Sequence, residues 1–454
     1  MEVDADAAHG WLLVWKRASH ETRAAFCRRL KEPQPTRRDL RFIGPAYGVG
    51  RGGPTRLRID PNGGFVDFRL DDDQRQLQRA LREFCDGEIA PRAAQRDEQG
   101  RFEDGLIAKL GEMGLFGLYV PSELGGAGLD CVSYTMAVEE VSRACGATGI
   151  LVSAHHSLCV DPILRFGSEA LKQKYLPKLS TGEWIGCFSL TEPGSGSDAA
   201  AATCRAELRD DGWHVSGTKC FVTNGLEAHV IILFAVSDPD DPRRRLSAFV
   251  VDRDMPGWRT GKVEKKLGIR ASSTTELIFE DCRVPKENLL GERGRGLNVA
   301  LATLDGGRIG VAAQAVGISQ AAFEAALDYS QTRQAFGRPI CELQALQWKL
   351  ADMRTAIDAA RLLMRRASWL KQNKRQYSAE AAMAKLLASE MSARVTATAM
   401  QVFGGYGYVQ DYPAERLLRD AKITELYEGT SEIQRLVIAR RLLTDPEWVK
   451  RGVS

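Results

Sequence analysis

From about Trp184 to residue 293 the sequence abandons helical spacing, and that change limits the fold more than any other feature. Thr203–Leu208 and Trp213–Thr223 are β-prone runs joined by Asp210-Asp211-Gly212, a hairpin signal. Val230–Val236, Leu246–Val251 and Glu276–Phe279 continue the pattern. Short strands that follow one another without helices between them build an antiparallel sheet or barrel. A doubly wound nucleotide fold, with a helix after each strand, does not fit.

Helical patterns flank this stretch. Asp71 to Asp73 are placed to cap a helix carrying Leu77, Leu81, Phe84 and Ile89, and Pro91 marks its end. Helical spacing recurs over 103–115, 132–145 and 168–180, with Gly-rich turns such as Gly125-Gly126-Ala127-Gly128 between. Beyond residue 296 the helices return and are long. Leu297, Leu301 and Leu304 form one stripe, Leu346, Leu350, Met353 and Ile357 another, and 379–402 is an Ala-rich helix able to pack tightly. The expected class is α+β, mainly α. Residues 66–185 read as an N-terminal helical domain, 186–293 as a middle antiparallel, barrel-like β-domain, and 294–454 as a C-terminal helical bundle.

Charge separates one further segment. Residues 1–65 hold 12 Lys and Arg against 7 Asp and Glu, while the remainder holds 50 against 52. The basic excess therefore belongs to an N-terminal extension, and the body carries no bulk charge that points to nucleic acid. Trp11 to Arg41 is Arg-rich, as transit peptides are, but Glu2, Asp4 and Asp6 are not. An organelle-targeting segment and an untargeted or disordered extension both fit. The GVGRGG run at 48–53 leads into Pro54 and not a helix, so it is not a dinucleotide loop. No apolar run is long enough to span a bilayer. Ten dispersed cysteines without a CxxC pair fit reduced thiols in a cytosolic or matrix compartment.

Three stretches carry chemistry-bearing residues. Phe188 to Asp198 packs hydroxyls, glycines and two acids into one turn at the border of the β unit. Exposed N–H groups and hydroxyls of this kind bind phosphate or heteroaromatic edges, although a lone Gly/Ser loop is more often a plain turn. Gln401 to Tyr408 ends the Ala-rich helix with glycines. Ile423 to Arg435 places Glu428 in a loop, with Gly429 freeing the backbone to approach a ligand. Ser431-Glu432-Ile433-Gln434 has the form of a capping box, and Ile433 to Leu443 supplies an apolar face. Taken locally, Glu428 reads either as a presented general base or as a solvated acid before a helix.

These residues together resemble the acyl-CoA dehydrogenase family, most closely its short-chain (butyryl-CoA) branch. The resemblance covers residues 66–443 and rests on seven motifs in order: FSLTEPGSGSD (188–198), KCFVTNG (219–225), KLGIRASST (266–274), LDGGRIGVA (304–312), TRQAFGRPI (332–340), QVFGGYGY (401–408) and LYEGTSEIQR (426–435). It implies a four-helix C-terminal domain and bound FAD. The cofactor contacts it implies are Phe188, Ser189, Leu190, Thr191, Glu192, Pro193, Gly194, Ser195, Gly196 and Ser197, then Phe221, Val222 and Thr223 beside the flavin ring. Arg333, Gln344, Gln401, Val402, Phe403, Gly404 and Gly405 fall on the diphosphate and adenine side, and Thr430, Ser431 and Glu432 on the segment closing over the flavin. Ser197, Asp305, Gly306, Gly307, Arg308 and Gly429 fall on acyl-CoA contacts, with Asp305–Arg308 alternatively a plain ion pair. No metal is implied.

The resemblance also implies a reaction. Glu428 takes the α-proton of a short-chain acyl-CoA while the β-hydrogen leaves as hydride to the flavin, giving a trans-2-enoyl-CoA, as in fatty acid β-oxidation. A carboxylate with an ordinary pKa near ~4.3 is a poor base for such a proton, so burial should raise it. Electrons are expected to pass to an electron-transferring flavoprotein. A homotetramer, built as a dimer of dimers, and a mitochondrial matrix location in a eukaryote, otherwise a cytoplasmic one, are expected too. Branched-chain (isobutyryl or 2-methylbutyryl) dehydrogenation, an acyl-CoA oxidase and a non-catalytic acyl-CoA or flavin-binding scaffold are the alternatives. Relatives with a base on the 304–312 helix are disfavoured, because Gly307 stands at that position. Ile150–Ala154 lacks the Arg of the glutaryl-CoA enzyme, and a nitroalkane oxidase would carry Asp at 428. Phe221 replaces the family's usual Trp. His155 and His156 are expected to be structural, or else to form a polar wall of the acyl pocket.

Overall fold

Asp71 begins the regular structure as the sequence predicts. In the computed structural model, which describes residues 70–450, its carboxylate accepts from Gln74 N while Gln74 Oε1 accepts from Asp71 N, a reciprocal cap on α1 (Asp72–Phe84). The predicted extension 1–65 and its glycine run lie outside the described residues. After α1 come α2 (Ala93–Gln99), α3 (Leu106–Glu112), α4 (Cys131–Ala144) and α5 (Gly146–Ala154). A π-helical turn, His155–Val160, joins α5 to α6 (Asp161–Phe166), and α7 (Glu169–Thr181) follows.

The sheet comprises β1 (Ile185–Ser189), β2 (Arg205–Arg209), β3 (Gly212–Thr223), β4 (Ala228–Val236), β5 (Leu246–Asp252), β6 (Trp258–Val263), β7 (Thr274–Val284) and β8 (Leu289–Leu290). Arg209 pairs with Gly212, so the predicted hairpin at 210–212 is present. The barrel-like, all-antiparallel expectation needs correcting. The strand order β6-β7-β3-β2-β4-β5-β8 leaves the sheet open, and β4 pairs in parallel with β1 and with β2. Hairpin signals report only neighbouring strands, whereas these pairings close long loops that leave no local mark. Strand β4 is buried on both faces. Val230, Ile232 and Phe234 pack towards Leu176 and Leu179 of α7, while Ile231, Leu233 and Ala235 enter a second core with Trp213 and Phe249.

The C-terminal helices are α8 (Gly296–Thr332), α9 (Gln344–Gln372), α10 (Ser378–Phe403), α11 (Ala414–Lys422), α12 (Ser431–Thr444) and α13 (Pro446–Lys450). Between α8 and α9 lies a tight hairpin of β9 (Gln334–Ala335) and β10 (Arg338–Pro339). Both α11 and α12 pack on α10. Two predicted details shift. The cap of α12 is Thr430, whose hydroxyl accepts from Ile433 N at 3.4 Å, and not Ser431. Leu436, Leu442 and Leu443 are exposed, so the outer part of α12 does not enter the core of this chain. No helix among the described residues is long and apolar enough to cross a membrane.

Candidate active site

Glu428 occupies a turn that few side chains tolerate. Its φ is +54° and that of Gly429 is +92°, two left-handed residues in succession. The 3₁₀ turn Ile423–Glu425 delivers the chain to this point, and the Tyr427 hydroxyl bonds Gln314 of α8, which in turn donates to Gly146 O at 3.0 Å. The turn directs the Glu428 carboxylate inward. Both its oxygens are buried and neither has a hydrogen-bond partner in the protein. Burial raises its pKa to about 7, against the opposing charges of Lys385 and Arg308. The solvated-acid reading is therefore discarded: this is a carboxyl group held without partners.

The glycines of α8 explain how it fits. A Cβ on Gly307 would lie 1.9 Å from Glu428 Oε2 and 2.9 Å from Leu158 Cδ2. One turn on, a Cβ on Gly310 would meet Ser153 Oγ at 2.3 Å and Tyr134 Oη at 2.7 Å. On the other side a Cβ on Gly306 would meet Lys371 Nζ at 2.8 Å, which pairs with buried Asp161 at 3.2 Å. Arg308 and Asp305 do form an ion pair, at 2.5 Å, with Ser378 donating to Asp305 at 2.9 Å. Arg308 Nε is nonetheless buried and unpartnered, so a donor remains beside the carboxylate.

The 188–198 loop separates into anchors and exposed groups. Glu192 and Ser195 exchange backbone hydrogen bonds at 3.0 Å, closing the Pro193-Gly194 turn. The Glu192 carboxylate accepts from Thr203 N, Thr203 Oγ1, Cys204 N and Lys219 Nζ at 2.7–3.0 Å. That side chain is occupied by the protein, so it is an anchor and not a side-chain contact for a cofactor. Ser195 Oγ is likewise taken by Asp198 O. Leu190 and Val222 are core residues, Phe188 packs on Phe234 at 4.9 Å, and Ser189 Oγ is buried without a partner. Pro193, Gly194, Gly196 and Ser197 are exposed, and Thr191 and Thr223 half-buried. Phe221 stands 65 % exposed on a left-handed backbone, φ +55°. An aromatic ring held outward by a strained bulge, one residue beyond the Cys220 N–H that bonds Thr191 O at 2.9 Å, fits a flat heteroaromatic ligand such as an isoalloxazine.

The residues expected on the adenine side lie elsewhere. Arg333, Gln344, Gln401, Gly404 and Gly405 are exposed, and the Arg333 guanidinium covers the Tyr406 ring at 5.5 Å. Val402 and Phe403 are buried, with Phe403 stacked on Tyr329 at 4.3 Å, so those two side chains belong to the core. Arg333 follows Gly307 by 26 positions along one helix direction, about 39 Å. One chain does not bring both groups together. Ser431 is buried and Glu432 exposed, and both line an open cavity of about 480 Å³ against Glu390, Ala393, Arg394 and Ala397 of α10.

His155 is structural. Its Nδ1 accepts from Gly186 N at 3.0 Å and Nε2 donates to Leu179 O at 3.0 Å, tying β1 to α7. His156 is buried between Tyr119 and Tyr134, its pKa pushed down to about 3 by burial. Around Glu428, Lys385 escapes the sequence reading, and Gln434, expected in a capping box, takes another role. Lys385 Nζ donates to Gly429 O at 2.7 Å, and Gln434 Nε2 donates to Gly429 O at 2.7 Å and Glu428 O at 3.2 Å. The signal was a single Lys among alanines in 381–388, a position otherwise apolar.

Comparison with known proteins finds matches along the described chain. The chain matches the acyl-CoA dehydrogenase N-terminal domain over residues 71–183, the middle domain over 187–282 and the C-terminal domain over 294–443. It is 51 % identical over 379 residues to the mitochondrial short-chain specific acyl-CoA dehydrogenase of Bos taurus, covering 84 % of this chain and 92 % of that one. It is 48 % identical to the short-chain specific acyl-CoA dehydrogenase of Clostridium acetobutylicum, covering 83 % of this chain and all of that one. Butyryl-CoA dehydrogenase from Megasphaera elsdenii superposes with a TM-score of 0.82 at 44 % identity, over 83 % of this chain and 100 % of that one.

Proposed function

The chain belongs to the acyl-CoA dehydrogenase family, and we propose that it removes the α and β hydrogens of a short-chain acyl-CoA of butyryl size, leaving the trans-2-enoyl-CoA. The observation that carries this is the Glu428 carboxylate, buried without a partner and facing the space that Gly307 leaves open. Its pKa of about 7 suits abstraction of a weakly acidic α-proton. The family is flavin-dependent, and FAD is the cofactor proposed here, with Thr191, Ser197, Thr223 and Phe221 as contacts from this chain. FAD, when bound, supplies the acceptor for the β-hydrogen, which leaves with its electron pair as the α-proton passes to Glu428. Arg308 and the walls formed by Leu158 and Tyr134 hold the reacting end of the substrate and keep water from it.

Further readings accompany this one. The distance between Glu428 and the Arg333 group supports a cofactor site completed by a second copy, as a homotetramer provides. An electron-transferring flavoprotein is the proposed electron acceptor. A mitochondrial matrix location is proposed for a eukaryotic source, the Bos taurus relative being named mitochondrial, and a cytoplasmic one otherwise.

Purified protein is expected to be yellow and to bleach when butyryl-CoA is added without oxygen. A folded, colourless preparation that takes up no FAD overturns the proposal. Hydrogen peroxide formed in step with substrate loss in air would assign an oxidase instead. The rate of bleaching should fall about tenfold per pH unit below about 7, because the base must be ionised. Gly307→Ala is expected to lower turnover by about 10²-fold, since the added Cβ and Glu428 Oε2 cannot both keep their places. Adding Glu428→Asp, which withdraws the carboxyl by one methylene, should recover part of the loss; unchanged turnover in Gly307→Ala would show that the carboxylate acts from another position.

A further inference from the structure

The Glu428–Gly429 turn is held from behind by two side chains that come from different helices. Gln434, fully buried in the first turn of α12, gives both its contacts to the carbonyls of residues 428 and 429. Lys385, fully buried in α10, donates to the same Gly429 carbonyl. Gly429 has to be glycine for two reasons, its φ of +92° and the 2.8 Å approach of Gln434 Nε2 to the place of a Cβ. A left-handed Glu is unfavourable by about 1 kcal/mol or more, so the turn persists only if its surroundings fix it. Lys and Gln are the groups that do so.

Lys385 differs from Gln434 in carrying a charge. An ammonium buried among alanines is unfavourable by itself, and its bond goes to a carbonyl, which leaves its field for the neighbouring carboxylate. The groups facing Glu428 are Lys385 from α10, Arg308 from α8, the Tyr134 phenol from α4 and adjacent Tyr427. Arg308 divides its attraction between Glu428 and its ion-pair partner Asp305. Around Lys385 itself stand Glu428, Arg308, Glu425 and Glu432. Burial draws the Lys385 pKa down to about 8, still above the value of about 7 for Glu428, so the ammonium is mostly charged at the midpoint of the Glu428 titration.

We propose that Lys385 is the positioning residue of the base: with Gln434 it fixes the left-handed turn by its carbonyls, and its charge favours the ionised form of the Glu428 carboxylate that abstracts the proton. The proposal rests on Glu428 being the base. Two variants separate the hydrogen bond from the charge. Lys385→Met removes both, and Lys385→Gln keeps an N–H donor, shorter by one bond, without the charge.

The test is the pH profile of flavin bleaching by butyryl-CoA in the flavin-loaded protein, with Glu428→Gln alongside. Both Lys385 variants are expected to move the acidic limb to higher pH by about one unit or more. At pH 7 a one-unit shift lowers the rate about fivefold, mainly in kcat and little in KM. At pH above the limb, Lys385→Gln should recover more of the wild-type rate than Lys385→Met. An acidic limb that stays in place in Lys385→Gln overturns the proposal, and so does one that moves to lower pH. Should Lys385→Met not fold, Lys385→Gln reads the same limb. A Glu428→Gln variant that still bleaches at the wild-type rate would overturn the assignment of the base itself, a result distinct from either.

Discussion

Glu428→Gln should lower turnover by about 10³- to 10⁴-fold while leaving flavin content and acyl-CoA binding intact. The substitution keeps the shape of the side chain and removes only its capacity to accept a proton. It should also stabilise the protein at neutral pH. A carboxyl whose folded pKa is raised holds its proton in the native state after the unfolded chain has released its own. Stability therefore declines as pH rises from about 4.5 to about 7, and the glutamine variant escapes that decline. Denaturant unfolding at pH 8 should show a gain of up to about 3 kcal/mol over wild type, and no gain at pH 4. A structural acid would behave the opposite way. Near-normal turnover, or a variant less stable than wild type at pH 8, would remove Glu428 as a buried base.

Why the sequence could point to Glu428 and yet miss its supports is a matter of range. The Asp71 cap, the 210–212 hairpin and the long helical stripes are local, since each is fixed by residues within one or two turns. Glu428 became legible because glycine at 307 and the 188–198 motif accompany it in a known order. Lys385 and Gln434 lie 43 residues from Glu428 and six from it, but their roles depend on α10 and α12 closing over the same turn, which no local pattern records. The parallel pairing of β1 with β4 was hidden for the same reason. Thr430 displaced Ser431 as cap by a one-residue slip, which left Ser431 Oγ buried and free of partners. Val402 and Phe403 share a glycine-rich motif with exposed Gln401, and only burial, for Phe403 against Tyr329, separates the two groups. Motif membership therefore identifies a loop, and burial decides which of its side chains reach a ligand.

Lys219→Met is expected to lower the free energy of unfolding by about 3–5 kcal/mol, because it leaves a buried carboxylate without its counter-charge. Lys219 is fully buried, and its ammonium bonds Glu192 at 2.8 Å and Leu190 O at 3.0 Å. Burial alone would raise the Glu192 pKa, but the Lys219 charge and the Thr203 donors hold it below the ordinary value. A depressed carboxylate pKa contributes stability above the unfolded value near ~4.3 and loses it as pH falls. The difference between wild type and variant should accordingly narrow below pH 4. Flavin content should fall with stability, because Glu192 anchors the loop that presents Thr191 and Ser197. Replacing both partners of a simple buried ion pair by apolar residues is often neutral. Here the Glu192→Leu/Lys219→Met double variant should be no more stable than Lys219→Met, because Thr203 and Cys204 N–H groups would lose their acceptor as well. A double variant restored to wild-type stability would show that Glu192 serves only to neutralise Lys219, and that the loop holds its shape without it.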